Sequence, residues 1–518
     1  MKKLTAIILA ILMLMPLIAS CGGNDETTTT EIPTTEAPTT EAPTTETPTT
    51  ETPTTEAPTT EAPTTEAPTT INPDVPWSSK TDIRDTWSGK TLNIACTTWS
   101  EAAKAPWSVI ELCVEPNKES GFGIKIDAAV LERQEFIKNT YGVDVNWINA
   151  GQYQIGDTLE KSAIAGNINY DLALPRALMA QNVVAKGLLY DMSNRDYIDF
   201  SNPYYNMDSV ETFTAKGHTF FIDGDFSKLN KELSFVLFFN KKLLGGQQAT
   251  ADLYDKVRNG KWTWGELVTL CTTVYKDDGD GIYGDDDILG INKTHFTDRL
   301  YYCFGIKQVD SDKSTGDWNL TFNDSKMDEI VEIISSANDS NWTCNRYTGG
   351  WNSYDFEYIL ENMLFLNSTV REYHTENCKD IGVVPFPMLN EAQGRYYVPT
   401  SSQMATLMCI PKSTQDRNMS DYFVDVLSWT GNEYVINAYM EQMSDKFESE
   451  VEIEMLVDYV FPNIVYDAEV TVGWSSLFPK TQTHNGIEKF QSTYNEDEPD
   501  ALKTIAEWNA AWGGYTEE

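Results

Sequence analysis

The chain has 518 residues, with 38 Lys and Arg against 78 Asp and Glu, for a net charge of −40. Charge this acidic reverses the sign of the counterion-release term that drives phosphate binding, which excludes nucleic acid as a partner and disfavours adhesion to anionic lipid surfaces. Only four His are present (218, 295, 374 and 484), none in a metal-ligand motif, and there is no GxSxG or Walker A sequence.

Lys2 and Lys3 precede an uncharged, almost wholly apolar run over 4–19, closed by Ile18-Ala19-Ser20-Cys21 ahead of Gly22-Gly23. This is the layout of a secretory signal, and the run is short for a membrane span. Its last four residues resemble the bacterial lipobox, in which the Cys is acylated and becomes the first mature residue. The resemblance implies a signal peptide over 1–20, lipid attachment at Cys21, and membrane contact through that anchor only.

Residues 24–72 repeat every five positions in the manner TTEAPTTEAP, with Glu at 26, 31, 36 and onward to 66. Core-forming side chains are almost absent, so ordering cannot be offset by burial. Regular Pro and like-charge repulsion favour extended chain. At ~3.1 Å per residue, some fifty residues reach on the order of 150 Å. A disordered, lipid-anchored stalk is expected over 21–85, with a Thr and Pro content that permits O-glycosylation.

The folded body, 86–518, exceeds what one core usually supports, so two lobes are expected. It contains Cys96, Cys113, Cys271, Cys303, Cys344, Cys378 and Cys409. The number is odd and no spacing suggests zinc, although an exported protein can pair some of them.

Leu92, Ile94 and Cys96 alternate with Thr91, Asn93 and Ala95, which predicts a strand. A helix over about 125–140 follows, with Ile126, Val130 and Ile137 on one face and Gly142 as its stop. Val143, Val145 and Trp147 predict a second strand, a helix near 156–166 comes next, and Tyr170–Leu174 reads as a buried strand. Strand and helix alternate, so the fold class is α/β with a parallel sheet. Ligands of such sheets sit beyond the carboxyl ends of the strands. That rule selects Trp99 and Ser100 after the first strand and Arg176 after the third.

Gly260-Lys261-Trp262-Thr263-Trp264-Gly265-Glu266 opens a helix, with Thr263 and Glu266 spaced as a capping box. Trp264, Leu267, Val268, Cys271, Val274 and Tyr275 recur behind it at helical spacing, and Cys271 there reads as a small core residue. The helix runs into an acidic loop. Asp278, Asp280 and Asp287 suit the third, fifth and twelfth positions of a calcium loop, with Gly281 at its sharp turn. Lys276 at the first position and Asp rather than Glu at the twelfth depart from that pattern. A solvated acidic turn is therefore the preferred reading and calcium the alternative.

The ordered pieces now compose a pattern: Gly89-Lys90-Thr91-Leu92, Tyr170-Asp171-Leu172 and Gly187-Leu188-Leu189-Tyr190-Asp191, then Phe238-Phe239-Asn240-Lys241 and Leu253-Tyr254-Asp255-Lys256-Val257. The Gly-Lys-Trp-Thr-Trp helix, Asp380-Ile381-Gly382-Val383-Val384-Pro385-Phe386-Pro387 and Ile410-Pro411-Lys412 complete it. Across 88–470 the chain resembles the carbohydrate-type, maltose-binding-like family of bacterial extracellular solute-binding proteins. The resemblance implies a two-lobed periplasmic-binding-protein-like fold with hinge crossovers and a ligand cleft between the lobes. It implies lobe 1 over about 88–200 plus 360–398, lobe 2 over about 201–359 plus 399–518, and crossovers near Phe238-Phe239-Asn240 and after Tyr396-Tyr397.

Sugars present polar edges and apolar C–H faces, so a site stacks aromatics on the faces and aims a few polar groups at the hydroxyls. Trp351 and Tyr354 follow Gly349-Gly350 in a polar loop, Trp474 lies between Gly473 and Ser475, and Asp223-Gly224-Asp225 lies between apolar runs. The candidate ligand contacts are Trp99, Arg176, Asp225, Trp351, Tyr354 and Trp474. Core packing is the bland alternative for each aromatic, and a surface salt bridge for Arg176. The expected protein is a monomeric lipoprotein on the extracellular face of the bacterial cytoplasmic membrane. It captures a carbohydrate, an oligosaccharide by preference, and delivers it to ABC permease subunits. No catalysis and no required cofactor are expected. A surface glycoside hydrolase and a carbohydrate-binding adhesin are the alternatives.

Overall fold

The computed structural model describes residues 84–96, 110–114, 123–151, 154–166, 169–280, 287–292, 297–344, 361–372, 380–401, 405–447, 449–469, 477–478 and 483–516. The leader, Cys21 and the repeat over 24–72 lie outside the described residues.

The predicted opening of the body is present. Strand β1 spans Thr91–Cys96, helix α1 Ile124–Tyr141, strand β2 Asp144–Asn149, helix α2 Ile155–Ala165 and strand β3 Leu172–Ala173. Both β2 and β3 pair with β1 in parallel, the connections running through helices as parallel pairing requires. Leu92, Ile94 and Cys96 are wholly buried. Helix α1 stops at Gly142, whose φ of 68° lies in the left-handed region, and a Cβ there would come within 2.4 Å of Ser88 Oγ. Beyond β3 the sheet continues with a returning segment. Ala173 bridges Cys409, Arg176 bridges Thr406 and Ile222 bridges Met408, all antiparallel, while Ile410–Pro411 pairs with Leu189–Tyr190.

A second sheet of five strands runs in the order 343–344, 289–292, 363–369, 235–240, 381–384. The first three are mutually parallel, and Phe235–Asn240 is antiparallel to both its neighbours. Val236, Leu237, Phe238 and Phe239 are all wholly buried, the continuous apolar run of a strand covered on both faces.

These pairings correct the expected division of the chain. The strands at 363–369 and 381–384 were assigned to the group of 88–200, but they pair with Phe235–Asn240. The segment 405–411, assigned to the other group, belongs to the sheet of β1 and β3. Strand partners are chosen by hydrogen bonds between segments far apart in sequence, and apolar composition does not encode that choice. The capping box also fails to form, since Thr263 makes no side-chain cap. The backbone at 262–264 is instead paired with Met388, through Met388 N to Trp262 O at 3.1 Å and Trp264 N to Met388 O at 2.7 Å. Glu266 turns to an ion pair with Lys256.

Two chain crossings join the sheets side by side, bridged antiparallel at Ser234 and Thr400. Asn230 holds them. Its Nδ2 donates to Asp223 Oδ1 (2.6 Å) and to Thr406 O (2.7 Å), while its Oδ1 accepts from Thr406 N at 2.9 Å. Its carbonyl accepts from Ser234 Oγ at 3.2 Å and Thr400 Oγ1 at 3.4 Å. Both amide protons and the amide oxygen are therefore used, and the Thr406 N–H and C=O both find their partners on this one side chain. A third crossing leads from helix Asn437–Ser444 to helix Glu450–Glu454. There the fully buried Glu452 pairs with Lys241 at 2.7 Å and accepts from Tyr254 Oη at 2.9 Å. Among the described residues no helix is long and apolar enough to cross a membrane.

Substituting Asn230→Ala should orphan both backbone groups of buried Thr406. At ~1–3 kcal/mol for each unpaired buried group, the loss of unfolding free energy should be on the order of 3–5 kcal/mol. Urea denaturation with an unchanged m-value would measure it; a loss below ~1 kcal/mol would mean the strand bridges hold the crossings without the amide.

Candidate ligand-binding site

The crossings connect the carboxyl edges of the two sheets through a continuous set of backbone contacts. Strand 363–369 ends at Thr369, opposite Phe235, and Val370 N bonds Ser234 O at 3.0 Å. Ser234 bridges Thr400, and Ser401 N bonds Leu233 O at 3.2 Å. Ala405 N then bonds Ser401 O at 2.8 Å, and Ala177 N bonds Ala405 O at 2.7 Å, beside Arg176 at the carboxyl end of β3. Strand 289–292, parallel to 363–369, ends on the same edge, where Asn367 Nδ2 bonds Asn292 O at 2.8 Å. Carboxyl ends of parallel strands are where α/β sheets bind ligands, and both sets converge on the paired crossings.

Arg176 lies where the strand reading put it. It is 4% exposed, with its backbone bridged to Thr406. Asp225 is buried as well and both its oxygens are engaged. Oδ1 pairs with Lys231, and Oδ2 accepts from Asn432 Nδ2 at 2.6 Å. Desolvation is the largest single influence and pulls the Lys231 value down, but the Asp225 charge and hydrogen bond together with the Asp223 charge outweigh it and raise the ammonium above its usual range. Asp223, two residues earlier, accepts from Asn230 and from Tyr466 Oη at 2.8 Å, and burial raises its carboxyl to about 6. The Asp223-Gly224-Asp225 turn thus serves the joint between the sheets. Trp99, Trp351, Tyr354 and Trp474 lie outside the described residues. Trp99 follows β1 and Trp351 follows strand 343–344 in the sequence.

Two partners escaped the sequence reading. Phe235, first residue of its strand, lies under the Arg299 guanidinium at 3.6 Å from the ring centroid, and both are partly exposed at the crossings. A cation over a ring face contributes roughly 0.5–2 kcal/mol, depending on solvation. No local motif announces the pair, because 63 intervening residues separate its members and only the fold brings them together.

The acidic loop is closed by a bridge between Lys276 and Ile288. Carboxylate oxygens of Asp277, Asp278 and Asp287 lie within 4.8 Å of one another, whereas Asp280 is not part of that group. The three are donor-compatible with a hard cation. They are also already used within the loop, since Asp277 accepts from Gly279 N, Asp278 from Asp280 N and Asp287 from Asp278 N, at 2.6, 2.9 and 3.0 Å. Chelator should therefore leave the melting temperature within about 2 °C of that in millimolar calcium, a change worth at most ~1 kcal/mol; a collapse restored by calcium alone would assign the loop to a metal.

Away from the crossings, Asp425 is wholly buried on helix Arg417–Thr430. It accepts from Tyr204 Oη at 3.2 Å and from Tyr205 Oη, with Asp199 nearby. Burial raises its carboxyl to about 7, against donation from the two tyrosines. Asp467, accepting from Gln308 N, Val309 N at 3.2 Å and Glu469 N at 3.0 Å, is raised by burial to about 6.

A cyclo/maltodextrin-binding protein complexed with maltotetraose superposes with a TM-score of 0.50 at 12% identity, covering 80% of this chain and 96% of that one. The chain has the fold of a two-lobed solute-binding protein. An extracellular solute-binding protein from Staphylococcus aureus in complex with maltose gives 0.49 at 15% identity, over 80% and 98%. A cyclic alpha-maltosyl-1,6-maltose binding protein from Arthrobacter globiformis gives 0.47 at 13%, over 82% and 99%. No protein-family model matches the chain, and no curated protein matches it in sequence.

The buried carboxyls set a pH dependence. Asp223, Asp425 and Asp467 have folded values above the unfolded ~3.9, so between about pH 4 and 7 the folded state binds more protons than the unfolded chain. Their contribution is complete below about pH 4 and is lost as pH rises through 6 to 7. Asp425→Asn removes one titration while keeping an acceptor for the tyrosines. The fall in stability between pH 5 and pH 8 should then shrink by on the order of 2 kcal/mol relative to wild type; identical pH profiles would show that Asp425 titrates as an ordinary carboxyl.

Proposed function

We propose that this chain is a lipid-anchored extracellular solute-binding protein that captures a carbohydrate, an oligosaccharide by preference, and delivers it to an ABC import permease without turning it over. The observation that carries the reading is the meeting of two carboxyl edges at paired crossings, in a chain whose fold superposes on a sugar-binding protein over 96% of that protein's length. The solute sits between those edges, stacked on at least one of Trp99, Trp351 and Trp474. Arg176 is directed at its polar groups, and Asp225 acts by fixing Lys231 and Asn432. Closure occurs about the crossings, and the ligand favours the closed state by its greater affinity for it. The lipobox-like Ile18-Ala19-Ser20-Cys21 supports anchorage through Cys21, and the repeat over 24–72 acts as the stalk. The protein works as a monomer.

A thermal-shift screen across mono- and oligosaccharides tests this reading. A ligand bound only by the native state at a hundred times its Kd adds ~2.7 kcal/mol. Trp99→Ala, Trp351→Ala and Trp474→Ala should then be titrated with the sugar found. At least one should lose roughly tenfold in affinity, about 1.4 kcal/mol, while keeping its melting temperature. Wild-type binding by all three would refute the cleft assignment, and product formation on incubation would make the protein a hydrolase instead.

A further inference from the structure

Cys271, Cys303 and Cys409 are buried, and burial pushes each thiol well up, which keeps it protonated and poorly nucleophilic. Cys96 is wholly buried as well, but unlike those three its sulfur lies against a second, partly exposed thiol, that of Cys113. The two sulfurs lie 4.0 Å apart. Cys96 ends β1 and is held on both sides: Ala150 N bonds its carbonyl at 2.8 Å, and Leu174 N bonds Ala95 O at 2.8 Å. Cys113 ends the 3-10 turn Ile110–Cys113, which Gln134 of α1 grips through Leu112 O at 3.3 Å. Cys113 is partly exposed, so a small oxidant in solvent can reach it.

We propose that Cys96 and Cys113 are a disulfide-forming pair, and that their bond closes a covalent ring across residues 97–112 at the carboxyl end of β1. A disulfide needs its sulfurs ~2 Å apart. Forming the bond closes the remaining ~2 Å by rotation of the two side chains toward each other. The reaction is thiol–disulfide exchange with an external disulfide. The Cys113 thiolate attacks one sulfur of that disulfide and expels a thiolate. Cys96, as thiolate, then attacks the Cys113 sulfur of the mixed disulfide and expels the second. The two cysteine protons pass to the departing thiolates, so one external disulfide is reduced to two thiols as one protein disulfide forms. This chemistry does not depend on the solute being a sugar. It ties the candidate Trp99 segment covalently at both ends.

The test is to incubate the folded full chain with oxidised glutathione, alkylate the remaining thiols, digest without reductant and identify the peptides by mass. The expected product is a pair of peptides joined through Cys96 and Cys113, lighter by two hydrogens than the reduced pair. It should disappear on reduction and in Cys113→Ser, with Cys113→Ala as the substitute if the Ser variant does not fold. Recovery of both cysteines alkylated, glutathione retained on Cys113, or Cys96 joined to another cysteine would each overturn the proposal.

Discussion

The side chain of Asn230 carries the joint on which the arrangement of the two sheets depends. Where strands stop pairing and the chain crosses between sheets, backbone groups lose their ladder partners and remain buried. A carboxamide can answer both needs at once, donating twice and accepting once within a single planar group. Asn230 does so for Thr406 and adds Asp223, while its own carbonyl collects the hydroxyls of Ser234 and Thr400. The residue that replaces it must match both hydrogen-bond polarities. Asp would set an oxygen against Thr406 O and the Asp223 carboxylate. The candidate ligand site lies beside this joint because the same crossings that need Asn230 gather the carboxyl edges of both sheets.

Charge is distributed in support of that joint. The surface carries the acidic excess, but selected acids are inside and partnered. Glu232, 3% exposed, pairs with Lys228 at 2.5 Å and with Arg371 at 3.1 Å. This bond ties the first crossing to the end of strand 363–369. Glu452 does the same at the third crossing through Lys241 and Tyr254. Buried pairs of this kind offset their desolvation only while both members remain, and removing one typically costs ~3–5 kcal/mol. They bind neighbouring segments in one register more than they add net stability. The carboxyls of Asp223, Asp425 and Asp467 are raised because desolvation outweighs their hydroxyl, amide and backbone donors, and at Asp223 the Lys231 charge as well.

Much of the first sheet was readable in advance. The alternation at Leu92, Ile94 and Cys96, the apolar face of α1 and the glycine stop at Gly142 are local signals, and local geometry answers them directly. The position of Arg176 followed from the strand-end rule alone. Other readings failed for a shared reason. Thr263 and Glu266 have capping-box spacing, but Thr263 makes no side-chain cap and the Glu266 carboxylate pairs with Lys256. Asp225, a candidate ligand contact by sequence, has both its oxygens engaged, by Lys231 and by Asn432. The strands at 363–369 and 381–384 are correctly apolar and were assigned to the wrong sheet. In each case a distant residue outbid the local one.

The sequence by itself therefore determined the α/β class, the leader-like N-terminus, the five-residue repeat and the strands and helices that open the body. All of these rest on periodicity, capping glycines and composition within a short window. Only the tertiary structure decided which strands share a sheet, where the crossings lie, that Asn230 joins them and that Arg299 covers Phe235. Only it brought the sulfurs of Cys96 and Cys113 to 4.0 Å. The physical reason is that strand partnership and side-chain pairing are selected by mutual burial and hydrogen-bond satisfaction among segments far apart in the chain, and a window of local sequence contains neither partner's alternatives.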